Sequence, residues 1–278
     1  ALRLLKEALA LDSEHQQYII EYLYAAAKAN APVEERLQVI AQYPVQGRQR
    51  DDYVLEVAKV YCLAGDYAQA KALMLSHRFM PAEGGELAIN RVHLHIRQHE
   101  VRAALAAGNA EEAHILAQHP EALPENLHSG FWKQSEMVPL RYYDAVALAQ
   151  MGRTEEAAEQ YRLVLRRFSA KLPDMAFYYA QAMKALGKEI EARTYLSRIV
   201  ESLDFRDAHP AYGWEDMISE FNSYMNDPQA QRDGMTCYWR AMVHRCAGNT
   251  AAARTLLEKS LRLWPENIAA AQELEFLA

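Results

Sequence analysis

The sequence predicts an all-α chain, an α-solenoid of irregular helical hairpins interrupted by two loop insertions. The clearest hairpin is Tyr238–Pro265, YWRAMVHRCAGNTAAARTLLEKSLRLWP, where twelve residues separate Ala241 from Ala253 and twelve more separate Ala253 from Pro265. Two helices approach closely only where side chains are small, which places Ala241 and Ala253 at the crossing. Gly248-Asn249 suits a left-handed helix stop, and Pro265, lacking a backbone donor, ends the second helix. The pattern also recurs: Gly65, Gly108, Gly152, Gly187 and Gly248 each precede an alanine by five residues (Ala70, Ala113, Ala157, Ala192, Ala253).

The elements follow in order. ALRLLKEALALD at the start reads as the second helix of a hairpin already under way, as in an excised portion of a longer protein. His15–Ala29 is helical by its apolar period, with Tyr18, Ile19, Tyr22, Leu23 and Ala26 on one face. Pro32 suits the first turn of a helix running to about Tyr43, although Arg36 stands where a small residue is expected. Ala58, Gly65 and Ala70 mark a better copy. Glu83-Gly84-Gly85-Glu86 opens a long helix to Ala107, and a second helix follows Gly108-Asn109 to about His119. Residues 120–139 form the first insertion, too rich in Pro and Gly for a helix. Good copies follow around Gly152 and Gly187. Residues 204–233 form a second insertion carrying Phe205, His209, Pro210, Tyr212, Trp214, Phe221 and Tyr224, with a short helix expected at Glu215–Met225. Residues 267–278 read as a C-terminal capping helix, and the whole of 1–278 as one solenoid domain.

Composition narrows the function classes. The chain of 278 residues is 51% hydrophobic and 24% charged, ordinary for a soluble globular protein. A net charge of −7 without a basic stripe argues against nucleic acid. Cys62, Cys237 and Cys246 have no metal-binding spacing and read as buried thiols in a reducing compartment, so a cytoplasmic location is expected. No long uncharged apolar run points to a membrane. Nucleophile-elbow, zinc-protease and phosphate-loop motifs are absent, so a non-catalytic protein without cofactor is expected. Glu34-Glu35, Glu111-Glu112 and Glu155-Glu156 sit at helix starts, where the helix dipole explains them.

Alanine, glycine and proline at these spacings resemble the tetratricopeptide repeat, a 34-residue helix–turn–helix unit. The resemblance covers nearly the whole chain and implies a right-handed solenoid, although Cys237 replaces the usual aromatic of the last copy. A narrower likeness rests on Glu83–Glu86, Pro124-Glu125-Asn126-Leu127 and the aromatic second insertion. These resemble the C-terminal repeat region of large bacterial proteins of unassigned function, whose repeats follow an N-terminal β-rich domain similar to galactose mutarotase. That likeness implies a carbohydrate-linked setting.

In such repeats the first helix of each pair lines a concave groove. Counting each unit from its small residue places Glu56 and Lys59; His95, Gln98, His99 and Arg102; Tyr142 and Tyr143; Phe177, Tyr178, Gln181 and Lys184; and Tyr238, Trp239, Met242 and Arg245 in that groove. Paired aromatics recur in three consecutive copies, and aromatic rings are typical binding anchors. The competing reading is that one ring of each pair packs against the neighbouring helix. His95 and His99, four apart on one helix face, have metal-capable spacing but no third ligand nearby; a polar groove face and no metal are expected. Pro124–Leu127 with Phe131-Trp132 reads as a rim contact or as an ordered loop plugging a gap between repeats. The expected partner is a protein or peptide, the protein's own N-terminal domain included, docked through the aromatic groove. Carbohydrate is the alternative.

Overall fold

A computed structural model describes residues 1–44, 49–80, 86–120, 122–128, 137–166, 173–209 and 228–277. Among these residues there are fourteen α-helices and no strand, so the protein is an all-α helical-repeat solenoid. In chain order they are α1 (Leu2–Leu11), α2 (Gln16–Lys28), α3 (Val33–Gln42), α4 (Asp51–Leu63), α5 (Tyr67–Ser76), α6 (Glu86–Ala106) and α7 (Ala110–Ala117). The second half comprises α8 (Val138–Gln150), α9 (Thr154–Arg166), α10 (Ala176–Ala185), α11 (Glu189–Ala208), α12 (Pro228–Cys246), α13 (Thr250–Leu263) and α14 (Ile268–Glu275).

The hairpin turns share one backbone solution. Gly65, Gly108, Gly152, Gly187 and Gly248 all have φ between +73° and +78°. The amide after each glycine donates back to a carbonyl five residues earlier, as in Asp66 N to Tyr61 O at 2.9 Å and Asn249 N to His244 O at 3.0 Å. This closure satisfies the last carbonyls of the first helix and needs a left-handed residue, which glycine supplies without steric cost. At the α2/α3 turn Asn30 takes that role, with φ +54° and Ala31 N donating to Ala26 O. The first hairpin is therefore a true copy of the unit. Its irregularity is Arg36, which is 2% exposed at the small position and donates to Ala31 O. Burial pulls the Arg36 guanidinium below its ordinary range.

The alanines five residues past the glycines are all buried, so each second helix is in close contact with its neighbours. Helices α2, α4, α6, α8, α10 and α12 stack on one another as an inner layer. Helices α3, α5, α7, α9, α11 and α13 form the outer layer, the first five each packed on the next inner helix and α13 on α12 and α14. The apolar core divides into two clusters, one drawn from α1 to α6 and the other from α6 to α13, each also taking residues from the α14 segment.

Both insertions are shorter than the sequence implies. Helix α8 begins at Val138 with Pro139 in its first turn, where a missing donor does no harm. Helix α11 runs on to Ala208 and α12 begins at Pro228, so residues 204–208 and 228–233 are helical. Their overlap is held by Arg240, which donates to Asp204 and Asp207, both at 2.7 Å. Glu83–Gly85, Phe131-Trp132, Pro210, Tyr212, Trp214 and the expected helix at Glu215–Met225 lie outside the described residues. Glu125–Leu127 forms a 3-10 turn against α5 whose Leu127 is fully buried in the first core cluster.

Candidate functional site on the inner face

Helix α14 does more than cover the end of the solenoid. It packs on α13, as a terminal helix would, and also reaches α4 and α6 at the other end of the inner layer. Its Ile268 belongs to the first core cluster, while Ala270 and Leu277 belong to the second. The inner layer thus curves far enough for the last helix to join both cores. Asn30 Nδ2 in the first hairpin donates to Arg262 O, placing the α2/α3 turn against the end of α13. Asn267 fixes the start of α14: its Oδ1 accepts from Ala270 N at 3.1 Å, and its Nδ2 donates to Ser260 Oγ at 2.9 Å.

The polar face of α14 meets the predicted groove residues. Arg102 Nη1 and Nη2 donate to Glu273 Oε1 and Oε2 at 2.9 and 3.1 Å, a bidentate pair in which both side chains are about 95% shielded from solvent. Arg245 donates to the same carboxylate from α12. Burial is the largest single influence and works against the Arg102 and Arg245 cations, but the Glu273 charge together with the Tyr143 and Tyr178 hydroxyls holds both guanidinium groups above their ordinary range. Rings complete the enclosure: Arg102 lies 4.3 Å from the Phe276 ring centroid and 5.5 Å from that of Tyr143, and Arg245 lies 4.4 Å from that of Phe177. His99 stacks on Tyr67 at 3.8 Å, and its Nε2 lies 2.8 Å from Glu275 Oε1. Gln272 Nε2 donates to His95 O at 2.9 Å.

The sequence reading placed the paired aromatics in the open groove. The structure puts Tyr143, Phe177, Tyr178 and Tyr238 within the packing, each less than 10% exposed, and Met242 is fully buried. Tyr142, Tyr143, Phe177 and Tyr178 contact one another mainly edge to face, with centroids 5.2 to 6.0 Å apart. Burial raises the Tyr143, Tyr178 and Tyr238 hydroxyl pKa values, keeping them neutral. Both rings of the first two pairs pack, because inner-layer helices meet one another as well as the groove. Lys184 is committed too, donating to Cys246 O at 2.6 Å. Lys59 pairs with Glu56 at 2.7 Å. Gln181 is half-buried on α10.

Open space remains beside α14. A cavity of about 400 Å³ lies between the inner layer and the segment Trp264–Glu273. Its walls include His95 and Gln98 from α6, Tyr178 from α10, Gln231, Tyr238 and Trp239 from α12, and Trp264 and Glu266 from the chain end. His95 lines the cavity, and burial and the nearby Arg91 charge lower the imidazole pKa to about 4. Its Nδ1 is buried without a hydrogen-bond partner, as is the indole Nε1 of Trp239, whose ring carries Arg206 at 5.2 Å. His99 is engaged by Tyr67 and Glu275 while His95 lines the cavity, and no cluster of three or more metal-ligating side chains occurs among the described residues.

Of the predicted groove, the structure therefore brings His95, Gln98, Tyr178, Tyr238 and Trp239 to the cavity and gathers His99, Arg102 and Arg245 under α14. Sequence reasoning missed Gln272, Glu273 and Phe276, which it assigned to a simple cap. The groove list offered a signal: buried Arg102 and Arg245 need an anion, and Gln-Glu-Leu-Glu-Phe at 272–276 carries two.

The cysteines are free and buried, and burial pushes the Cys62 and Cys246 thiols up to about 12. No helix among the described residues is long and apolar enough to cross a membrane. No curated protein matches the chain. A tetratricopeptide-repeat family model matches residues 234–259, spanning most of α12 and the first part of α13. Together with the repeated turn geometry and the two-layer stacking, that match supports placing the chain in the tetratricopeptide-repeat superfamily.

Proposed function

We propose that this protein is a non-catalytic interaction scaffold that docks a partner polypeptide against its inner face, at the cavity beside α14. Repeats of this class generally mediate protein–protein interaction, and their fold is typically non-catalytic. The observation that carries the reading is the cavity itself. It is sized for a few side chains and combines the Trp239 and Trp264 rings with the Gln98 and Gln231 amides. Rings supply contact area at low entropic cost, while amides fix the register of a peptide backbone. The partner is a protein or peptide, including a segment from elsewhere in a longer chain.

A photocrosslinking amino acid at Gln98 tests this against one at exposed Glu159 on the outer layer. A partner captured from Gln98 and not from Glu159, and lost on Trp239→Ala, is the expected result. Equal capture from both positions, or none from Gln98, overturns it. Carbohydrate binding is the second reading, favoured by the same mixture of flat rings and amides. Calorimetric titration against a panel of sugars tests it, and heats no larger than dilution remove it for this chain.

A further inference from the structure

We propose that α14 is an intramolecular ligand of the solenoid, and that the partner accepted by the inner face is an acidic helix that takes its place. Such a helix would lay one carboxylate between Arg102 and Arg245 and an aromatic ring, three residues later, against Arg102. The inference rests on the scaffold reading and adds the chemistry of the partner to it.

Several observations point this way. A helix that only seals the last hairpin needs an apolar face against α13. The buried residues of α14 include Gln272 and Glu273 beside Ile268 and Ala270, so half of its buried face is polar. Those polar groups engage inner-layer helices far from α13 in sequence: Glu273 with Arg102 of α6, and Gln272 with His95 O of the same helix. This contact set is what a docked peptide makes, with side chains as anchors and a backbone carbonyl read by an amide.

Charge fixes the class of occupant. The two guanidinium groups lie among Tyr143, Phe177 and Phe276 rings, and Glu273 is the carboxylate bound between them. With α14 withdrawn they form a cationic site walled by aromatic rings, which neither an apolar nor a basic segment satisfies. Buried ion pairs add little net stability compared with a well-packed apolar contact, but they penalise wrong partners strongly. The hold on α14 is therefore specific and exchangeable. Space for exchange is present, because the cavity is bounded by Gln272 and Glu273 themselves. A few side chains of an incoming helix can enter the cavity before α14 has left.

The test uses the full chain and a fluorescent synthetic peptide of residues 266–278 as the acidic helix. In the wild-type protein the tethered α14 competes at a high effective concentration, so the peptide binds weakly. Glu273→Gln removes the charge from the tethered copy and leaves both arginines in place. Phe276→Ala loosens α14 without touching the carboxylate and serves where Glu273→Gln melts too low to be assayed. Each variant is expected to bind the peptide about tenfold tighter than wild type. A peptide carrying Glu273→Gln is expected to bind either variant at least about tenfold more weakly than the parent peptide. Equal binding to wild type and variants, no binding to any of them, or full binding by the neutral peptide overturns the proposal. A partner crosslinked at Gln98 that saturating peptide does not displace overturns it too, while leaving the scaffold reading intact. Absence of any Gln98-specific partner counts against the scaffold reading alone.

Discussion

Glu273 and Arg102 meet in a bidentate ion pair across 171 positions of sequence, both of them buried. In a linear stack of repeats each unit contacts only its neighbours. This pair instead ties the end of the chain to the third hairpin, and Arg245 ties the same carboxylate to the last. Glu273 thereby joins Gln272, Glu275 and Asn30 in closing the solenoid.

Glu273→Ala should therefore be among the most damaging single changes. It strands two buried cations, and removing one partner of a buried pair costs about 3–5 kcal/mol. Replacing Glu273 and Arg102 together with apolar residues, Glu273→Leu with Arg102→Met, should recover the share of that loss due to Arg102, while Arg245 stays without its carboxylate. Urea midpoints of the two single variants and the double variant check this, and additive losses would contradict the pairing.

A second consequence concerns Gly234, which no spacing rule singled out. A Cβ there would lie 2.8 Å from Trp264 Cβ and 3.1 Å from Ser260 O, so α12 and the end of α13 touch backbone to backbone. Ser260 Oγ also donates to Gly234 O at 2.7 Å, and Asn267 donates to that hydroxyl. Gly234→Ala should cost about 1–3 kcal/mol through overpacking. It should also shift the start of α14, so amide exchange of residues 268–275 speeds up with the fall in melting temperature.

The helical pattern was legible because it rests on local rules. Gly65, Gly108, Gly152, Gly187 and Gly248 mark turns that only a left-handed residue can make, and the alanines mark close crossings. Asn30 hid the first hairpin because it replaces glycine and is followed by an extra residue before the helix, shifting the small position onto Arg36. The inner face was half legible. Position counting identified Arg102, Arg245, Trp239 and His95 as inward residues. It assumed an empty groove, however, and the return of α14 depends on the summed curvature of six hairpins, which no single stretch of sequence encodes. Aromatic pairs at adjacent groove positions likewise look alike whether they face a ligand or the next helix.

Acid should weaken the protein through α6. Burial lowers the imidazole pKa values of both His93 and His95 to about 4, with Arg97 and Lys71 adding to the effect at His93. Their folded values lie below the unfolded value of about 6.5, so the unfolded chain binds more protons between these limits. Stability is then full above pH 6.5 and falls as pH drops towards 4, by at most about 3 kcal/mol per histidine. Urea midpoints at pH 7.0, 6.0 and 5.0 should decline, and His93→Gln should flatten the slope. A midpoint that rises on acidification would refute this account.

The first insertion offers a contrast to Glu273. Asn126 Nδ2 donates to Met74 O and His77 O at 2.9 and 2.7 Å, while its own carbonyl accepts from Phe79 N at 2.9 Å. One side chain thus satisfies the carbonyls at the end of α5, and Leu127 beside it fills the core. Asn126→Ala leaves those carbonyls without a donor, at a cost of about 1–3 kcal/mol. The hydrogen bonds of Asn126 join the end of the second hairpin to the first insertion, so nearest-neighbour coupling should confine the damage. Exchange of the Phe79 amide should accelerate while amides of α14 remain as protected as in the wild type. Glu273→Ala should do the opposite, releasing α14 and leaving Phe79 protected in a chain that is still folded. If Asn126→Ala instead exposed both regions together, the chain would be unfolding as one cooperative unit, and the closure by Glu273 would extend to every hairpin it encloses.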